Sequence, residues 1–435
     1  MGSSSEKGFS PSPMPVRIEV EKNYRWNFTV NTLDGAFFWF GSSFFSSEII
    51  LTLFVSHFTR NPIIIGLLGF LGWGGVLLPQ LFVANAVERS PVKKFFPMTL
   101  GFFLERLPIL LLAPLIYLSI PSPPAVMLVV FYLLYTWHNI GAGVIIVGWQ
   151  DMIAKVIPVE KRGRFFGISN FIGNATGILG ALLVPFIFDK NDFPLGFILC
   201  FAVTGVFYFL SWASLSLTRE IPDESAKPPV TQKKYLSSLP RILEKDRNFS
   251  RFLLSQVIFS LSGMAVSFIT IYLVDVWNTT DAEASGYIIA MQAGLCLANI
   301  IFGFLSDRRG HKLTLEICWM LRVIALALVV FSPGLAWFYL VFFLTGMVSA
   351  GTLLSGFSIV YEFTDAQNRP TYIGLSNTIP GIVIMAAPMI GAWLVGVFSY
   401  RLMFIFAAFT AALGWLLLRF TVCEPRTVGA QEIIN

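Results

Sequence analysis

The sequence predicts an all-α integral membrane protein, with twelve transmembrane helices in two six-helix pseudo-symmetric bundles. Three observations carry that prediction. The 435 residues are 55% hydrophobic and only 13% charged, where a soluble domain is nearer one quarter charged. Apolar runs long enough to cross a bilayer, about 20 residues, recur along the whole chain, and mean hydropathy is +0.72. One segment is also written twice. Residues 162–170 (RGRFFGISN) and 369–377 (RPTYIGLSN) share Arg162/Arg369, Gly167/Gly374, Ser169/Ser376 and Asn170/Asn377, 207 positions apart.

In order, the spans are read at 29–56, 62–86, 95–120, 123–150, 163–187, 194–217, 249–275, 283–306, 312–332, 334–362, 370–398 and 400–420. These runs are apolar throughout, whereas strands of a β-barrel would alternate apolar and polar. Spans 9 and 10 are separated only by Ser332-Pro333-Gly334, a turn signal. Charge supports the count. With both termini on one side, that side carries 25 of the 30 Lys and Arg residues and the other side carries three: Arg60, Lys190 and Arg401. Arg106 and Arg322 lie inside spans. This asymmetry obeys the positive-inside rule and predicts cytoplasmic termini in a cell (inner) membrane. The pI near 9.0 is then a property of loops beside anionic lipid, not of nucleic-acid binding.

Residues 1–28 read as a polar, Ser/Pro-rich cytoplasmic tail without a cleavable signal peptide, because the first apolar run is too long for one. Residues 29–217 form the first bundle, 218–248 a cytoplasmic loop, 249–420 the second bundle and 421–435 a cytoplasmic tail. Six spans per half give the halves the same orientation. Paired halves of this kind point to a transporter, because two bundles can rock about a site held between them. No enzyme, cofactor or metal is expected. Cys200, Cys296, Cys318 and Cys423 form no CxxC pair, and His57, His138 and His311 stand far apart. No phosphate-binding loop of the G-x-x-x-x-G-K-[ST] type is present, so ATP would not drive the process.

The segment 303–312, GFLSDRRGHK, lies between spans 8 and 9 and resembles the signature loop of the major facilitator superfamily, Gly-x-x-x-Asp-Arg-x-Gly-Arg/Lys-Arg/Lys. Twelve spans and a central loop extend the resemblance over nearly the whole chain. It implies that Asp307 caps the helix of span 11 and pairs with Arg369, latching the inner gate. Gly303 would let two helices approach, Gly310 would turn the chain, and Arg308 and Lys312 would stay among the headgroups. The first-half copy, at 84–93, departs from the pattern. Glu88 stands for the aspartate and Arg89 for the first arginine, but Ala84 and Pro91 replace glycines. Its latch would pair Glu88 with Arg162 or Arg164. The arginine that the family often carries in span 4 is not evident; residues 136–143 (TWHNIGAG) occupy that region. Gly173, Gly177, Gly180 and Pro380-Gly381 loosely resemble the family's antiporter signature, although small residues at such spacing also serve helix packing.

Ionisable groups inside the hydrocarbon are costly and therefore candidates for function. Glu48 in span 1 leads them. Asp34, fourteen residues earlier, falls on nearly the same helical face, and the family implies that spans 1, 4, 7 and 10 line the cavity. Glu48 and Asp34 are the candidate proton or substrate groups, followed by His138 and Asn139 in span 4. Gln256, Gln292 and Asn299 are the polar candidates of the second half. Arg106 and Arg322, in matched spans 3 and 9, read as packing or snorkelling residues, and Glu105 reads as structural. The expectation is a monomeric secondary transporter of a small solute by alternating access, with protons as the candidate coupling ion. An exporter or flippase of lipophilic compounds, and a non-transporting receptor or sensor, are the alternatives on the same scaffold.

Overall fold

The computed structural model describes residues 14–158, 161–222, 243–364 and 369–425. All regular elements among these residues are helical. They are α1 (Met14–Ser42), α2 (Ile50–Ser56), α3 (Pro62–Arg89), α4 (Leu107–Leu118), α5 (Pro124–Val156), α6 (Arg162–Lys190) and α7 (Leu195–Ser216), then α8 (Arg247–Ser260), α9 (Val266–Trp277), α10 (Asp281–Arg309), α11 (His311–Phe331), α12 (Ala336–Ser358), α13 (Arg369–Val397) and α14 (Tyr400–Thr421). Among the described residues, eleven segments are long and apolar enough to cross a membrane. Large side chains such as Phe82, Phe186, Phe304, Phe331 and Phe420 lie exposed on the outside, as suits a surface solvated by lipid.

The expected spans 2–12 each correspond to a helical segment, with ends a few residues from those read in the sequence. Span 1 differs. Its helix starts at Met14, not 29, because Arg17, Glu19, Glu21, Lys22 and Arg25 extend it as a polar helix that hydropathy alone does not register. It then stops at Ser42 and resumes at Ile50. The interruption is rich in serine, whose hydroxyls compete for backbone carbonyls. Ser42 and Ser43 donate to Phe38 and Phe40 carbonyls at 2.8 and 2.7 Å, and Thr52 donates to Ser47 O at 2.8 Å. Irregular backbone at membrane depth survives only where protein covers it. Here Thr270 of α9 donates to the Glu48 carbonyl at 2.7 Å.

Span 7 is interrupted at the matching place by a 3₁₀ turn, Leu261–Ala265, between α8 and α9. Span 3 begins as two π-helical turns, Phe96–Leu100 and Phe102–Arg106, before α4. Pro108 has no N–H to give Leu104, so regular α-helical bonding fails there.

Within the first half α1 packs on α6 and α7, and α3 on α5; within the second, α10 packs on α12, and α14 on α8 and α11. The α3–α5 and α10–α12 contacts are repeat equivalents and both depend on glycine. A Cβ on Gly143 would meet the Gly75 and Val76 carbonyls at 2.5 Å, and Cβ atoms on Gly294 and Gly346 would strike the carbonyls of Phe343 and Met291. Gly346→Val is expected to lower stability by about 1–3 kcal/mol through overpacking, read as a lower Tm in detergent. An unchanged Tm would mean that the two helices can separate freely.

The halves meet where α3 lies against α13 and α6 against α10. A Cβ on Gly66 would lie 3.0 Å from Ala392, and one on Gly74 2.9 Å from Met385 Sδ. The glycines of α6 serve packing: Gly173 faces Trp39, Gly180 faces Ser43, and Gly177 faces Gln292 across the halves. Chain ends are tied to one end of the bundle. Asn27 in α1 bonds the Arg219 carbonyl at 2.9 Å and Asn248 bonds the Cys423 carbonyl at 3.1 Å. We call this the termini end and the opposite one the far end.

Candidate functional site

Two polar clusters lie at membrane depth. The first is inside the first half. Asp34, 6% exposed, accepts from Ser211 Oγ at 2.5 Å, with Arg106 and Trp149 within interaction range. The guanidinium of Arg106 is 2.8 Å from Glu105 and stands over the rings of Phe38 and Tyr208 at 5.4 and 5.1 Å. His138 Nδ1 bonds the Glu105 backbone carbonyl at 2.9 Å, a carbonyl in the π-helical turn. Tyr208 and Ser42 share a hydrogen bond of 3.0 Å. Asp34, Glu105, Arg106 and His138 thus form one buried group of two carboxyl groups, a guanidinium and an imidazole.

Of the two readings of Arg106 and Arg322, packing and snorkelling, burial favours packing; they are 6% and 7% exposed. One sequence reading changes. Asp34 and Glu48 do not share a helical face, because the helix that would relate them ends at Ser42. Asp34 faces α7, and Glu48 stands in the interruption.

The second cluster lies between the halves. The Glu48 carboxylate accepts from Ser46 Oγ at 3.1 Å. It lies within electrostatic range of the Tyr135 phenol in the first half and the Arg322 guanidinium in the second. Asn139 is buried against Gly75 and donates to the Tyr135 carbonyl at 2.7 Å. Gln292 is buried beside Gly177. Gln256 accepts from Ser376 at 3.4 Å, and Asn299 donates to its own helix at Leu295 O. The structure therefore brings Glu48 to the interface of the halves and leaves Asn299 with a local bond.

At the far end, an ion pair and hydrogen bonds join the halves. His57 Nε2 is 2.7 Å from Asp281 and Arg60 is 2.9 Å from Asp275, and Tyr400 donates to Asp275 at 2.6 Å. At the termini end, the pairs Lys93–Asp151, Lys155–Glu220, Lys312–Glu316 and Arg419–Glu316 each stay within one half.

The signature loop is partly visible. Gly310 has φ 92°, a conformation that favours glycine, and a Cβ there would come 2.9 Å from Glu424. Asp307 and Arg308 are exposed at the end of α10, and Lys312 pairs with Glu316 at 3.1 Å. The close approach expected at Gly303 is not found. A Cβ there meets open space, because α10 and α12 touch instead at Gly294 and Gly346. The side chains of Glu88, Arg89 and Arg369 lie outside the described residues. Arg162 donates to the carbonyls of Ile157 and Ala154, closing the end of α5, and Arg164 is exposed.

Sequence reading missed Glu220. Its carboxylate, 1% exposed, accepts from the backbone N–H groups of Lys93 and Lys94 at 2.8 and 2.7 Å and from Lys155 Nζ at 2.8 Å. Lys94 in turn donates to the Ser216 and Thr218 carbonyls. Burial pulls its ammonium below the usual lysine range, and Glu220 opposes that shift. Glu220→Gln is expected to cost about 1–3 kcal/mol, read as a lower Tm; a silent change would show that this carboxylate does not hold the loop.

Comparison with known proteins agrees with this architecture. The chain is 26% identical over 155 residues to the niacin transporter NiaP of Acinetobacter baylyi, covering 35% of each. It is 33% identical over 99 residues to solute carrier family 22 member 2 of Rattus norvegicus, covering 22% of this chain and 18% of that protein. The chain thus spans about a third, or less, of the length of the curated relatives it matches. Over most of its length it superposes on a mutant form of the nucleoside transporter NupG, with TM-score 0.66, 15% identity and coverage of 90% and 98% of the two chains. At 15% identity this likeness concerns the fold alone. The model of the Major Facilitator Superfamily matches residues 35–291 and 252–432, and the chain belongs to that family of multi-pass membrane transporters.

Proposed function

We propose that this protein is a secondary active transporter that moves a small solute by alternating access, coupled to protons through Glu48. The observation that carries the reading is the position of Glu48. An ionisable side chain sits in the interrupted part of span 1, at membrane depth, between two six-helix units. Proton carriers need a carboxyl group that can be neutral or charged according to what faces it. Tyr135, Ser46 and Arg322 provide such surroundings, drawn from both halves.

The two units are residues 29–217 and 249–420, and the termini end is cytoplasmic, following the charge asymmetry of the loops. The polar contacts at the far end then hold the outer side closed, and the latch of Asp307 with Arg369 acts when the inner side closes. The transporters named above make solute transport the natural frame.

A thermal-shift screen of the purified protein tests the reading. The panel contains sugars, nucleosides, organic acids and lysolipids at two pH values. A solute that raises Tm by mass action should also enter proteoliposomes faster under an inwardly directed proton gradient. Stabilisation only by lysolipids would instead favour a lipid-handling role.

A further inference from the structure

Arg106 and Arg322 occupy matched spans, 3 and 9, yet their surroundings differ. Arg106 has Glu105 beside it and two aromatic rings beneath it. Arg322 is 7% exposed, and its Nε and Nη1 atoms are buried with no hydrogen-bond acceptor. The residue before it is Leu321, where the first half has Glu105. The acidic group that acts on it is Glu48 of the other half, and the two form no direct ion pair. Two buried guanidinium nitrogens left without acceptors cost several kcal/mol. Among buried polar groups such an orphan calls for a partner.

The chemistry of the partner follows from the donor. Guanidinium presents a planar fork that matches a carboxylate. A single buried cation neutralises one negative charge, so a dianion would remain uncompensated. One helical turn before Arg322, Trp319 lies flat on Phe259 at 4.3 Å, so the wall beside the guanidinium is aromatic. We propose that Arg322 anchors the carboxylate of a small organic monoacid between the interrupted stretches of spans 1 and 7. The site rests on the reading of this chain as a solute transporter. Two anions, the ligand and Glu48, then compete for one cation. Binding of the acid favours neutral Glu48, and anion and proton travel together without net charge.

The test uses the full-length protein in detergent with benzoate as the probe and benzamide as its neutral counterpart. Benzoate should raise Tm and benzamide should not. Arg322→Met should weaken benzoate binding by about 10- to 100-fold, the loss of a charge-assisted hydrogen bond, and Arg322→Lys should weaken it less. Arg322→Met should also raise the Tm of the ligand-free protein, because it removes an uncompensated charge; a cation that merely held the helices together would give the opposite sign. Equal stabilisation by benzoate and benzamide, or undiminished benzoate binding by Arg322→Met, would overturn the assignment. If a neutral solute binds the wild type and Arg322→Met alike, the anion site falls while the transporter reading stands. If no solute of any class binds or is transported, both fall.

Discussion

Glu48→Gln is expected to abolish uptake driven by a proton gradient while preserving exchange of solute across proteoliposomes. The substitution keeps size and hydrogen-bonding capacity but removes the proton that can come and go. The hydrogen bond that the carboxylate accepts from Ser46 at 3.1 Å can pass to the amide oxygen, so the protein should fold. Gradient-driven accumulation should fall by roughly tenfold or more, since a carrier held in one charge state no longer links the two flows. The pH profile of transport should flatten as well. Transport by Glu48→Gln that responds to pH as the wild type does would remove Glu48 from the coupling step and turn attention to Asp34 and its Ser211 contact.

The second large effect concerns closure at the far end. Asp275→Asn combined with Asp281→Asn removes the carboxylates that face Arg60 and His57 across the halves. These pairs are partly exposed, so each is worth about 0–1 kcal/mol. Together with the charged acceptor of Tyr400 they amount to roughly 1–2 kcal/mol, or a factor of about 5–30 between two states. The expected result is a population shift toward the state open at the far end. Cysteine introduced at Ser46, in a background with Cys296 and Cys423 replaced by serine, reports it by maleimide labelling from that side. Labelling at the wild-type rate would mean that the helix contacts of α3 with α13 set the closed state, not these charges.

Much of the fold was legible because hydropathy is a strong signal and the bilayer fixes its length scale. Ser332-Pro333-Gly334 correctly divides α11 from α12, since 332–335 are not helical. The interruption of span 1 was hidden for a definite reason. Phe44, Phe45, Ile49–Leu51 and Leu53–Val55 keep the run apolar across the break, and only Ser42, Ser43, Ser46, Ser47 and Glu48 hint at it. Arg106 and Glu105 were visible as charges inside a span. Their shared burial with Asp34 depends on a π-helical turn and on α7, neither of which has a periodicity to read. Glu220 lies 126 residues from Lys94 in sequence, so its role is a tertiary fact.

The hydrogen bond from Thr270 ends on the carbonyl of Glu48 and not on its carboxylate. Position 48 thus holds two independent controls. Its main chain tethers the two bundles together, whatever side chain is present, while its carboxylate makes a separate contact with Ser46. Thr270→Val should loosen the tether and spare the proposed proton coupling, whereas Glu48→Gln should do the reverse. Point mutations can therefore test the tether and the proposed coupling separately.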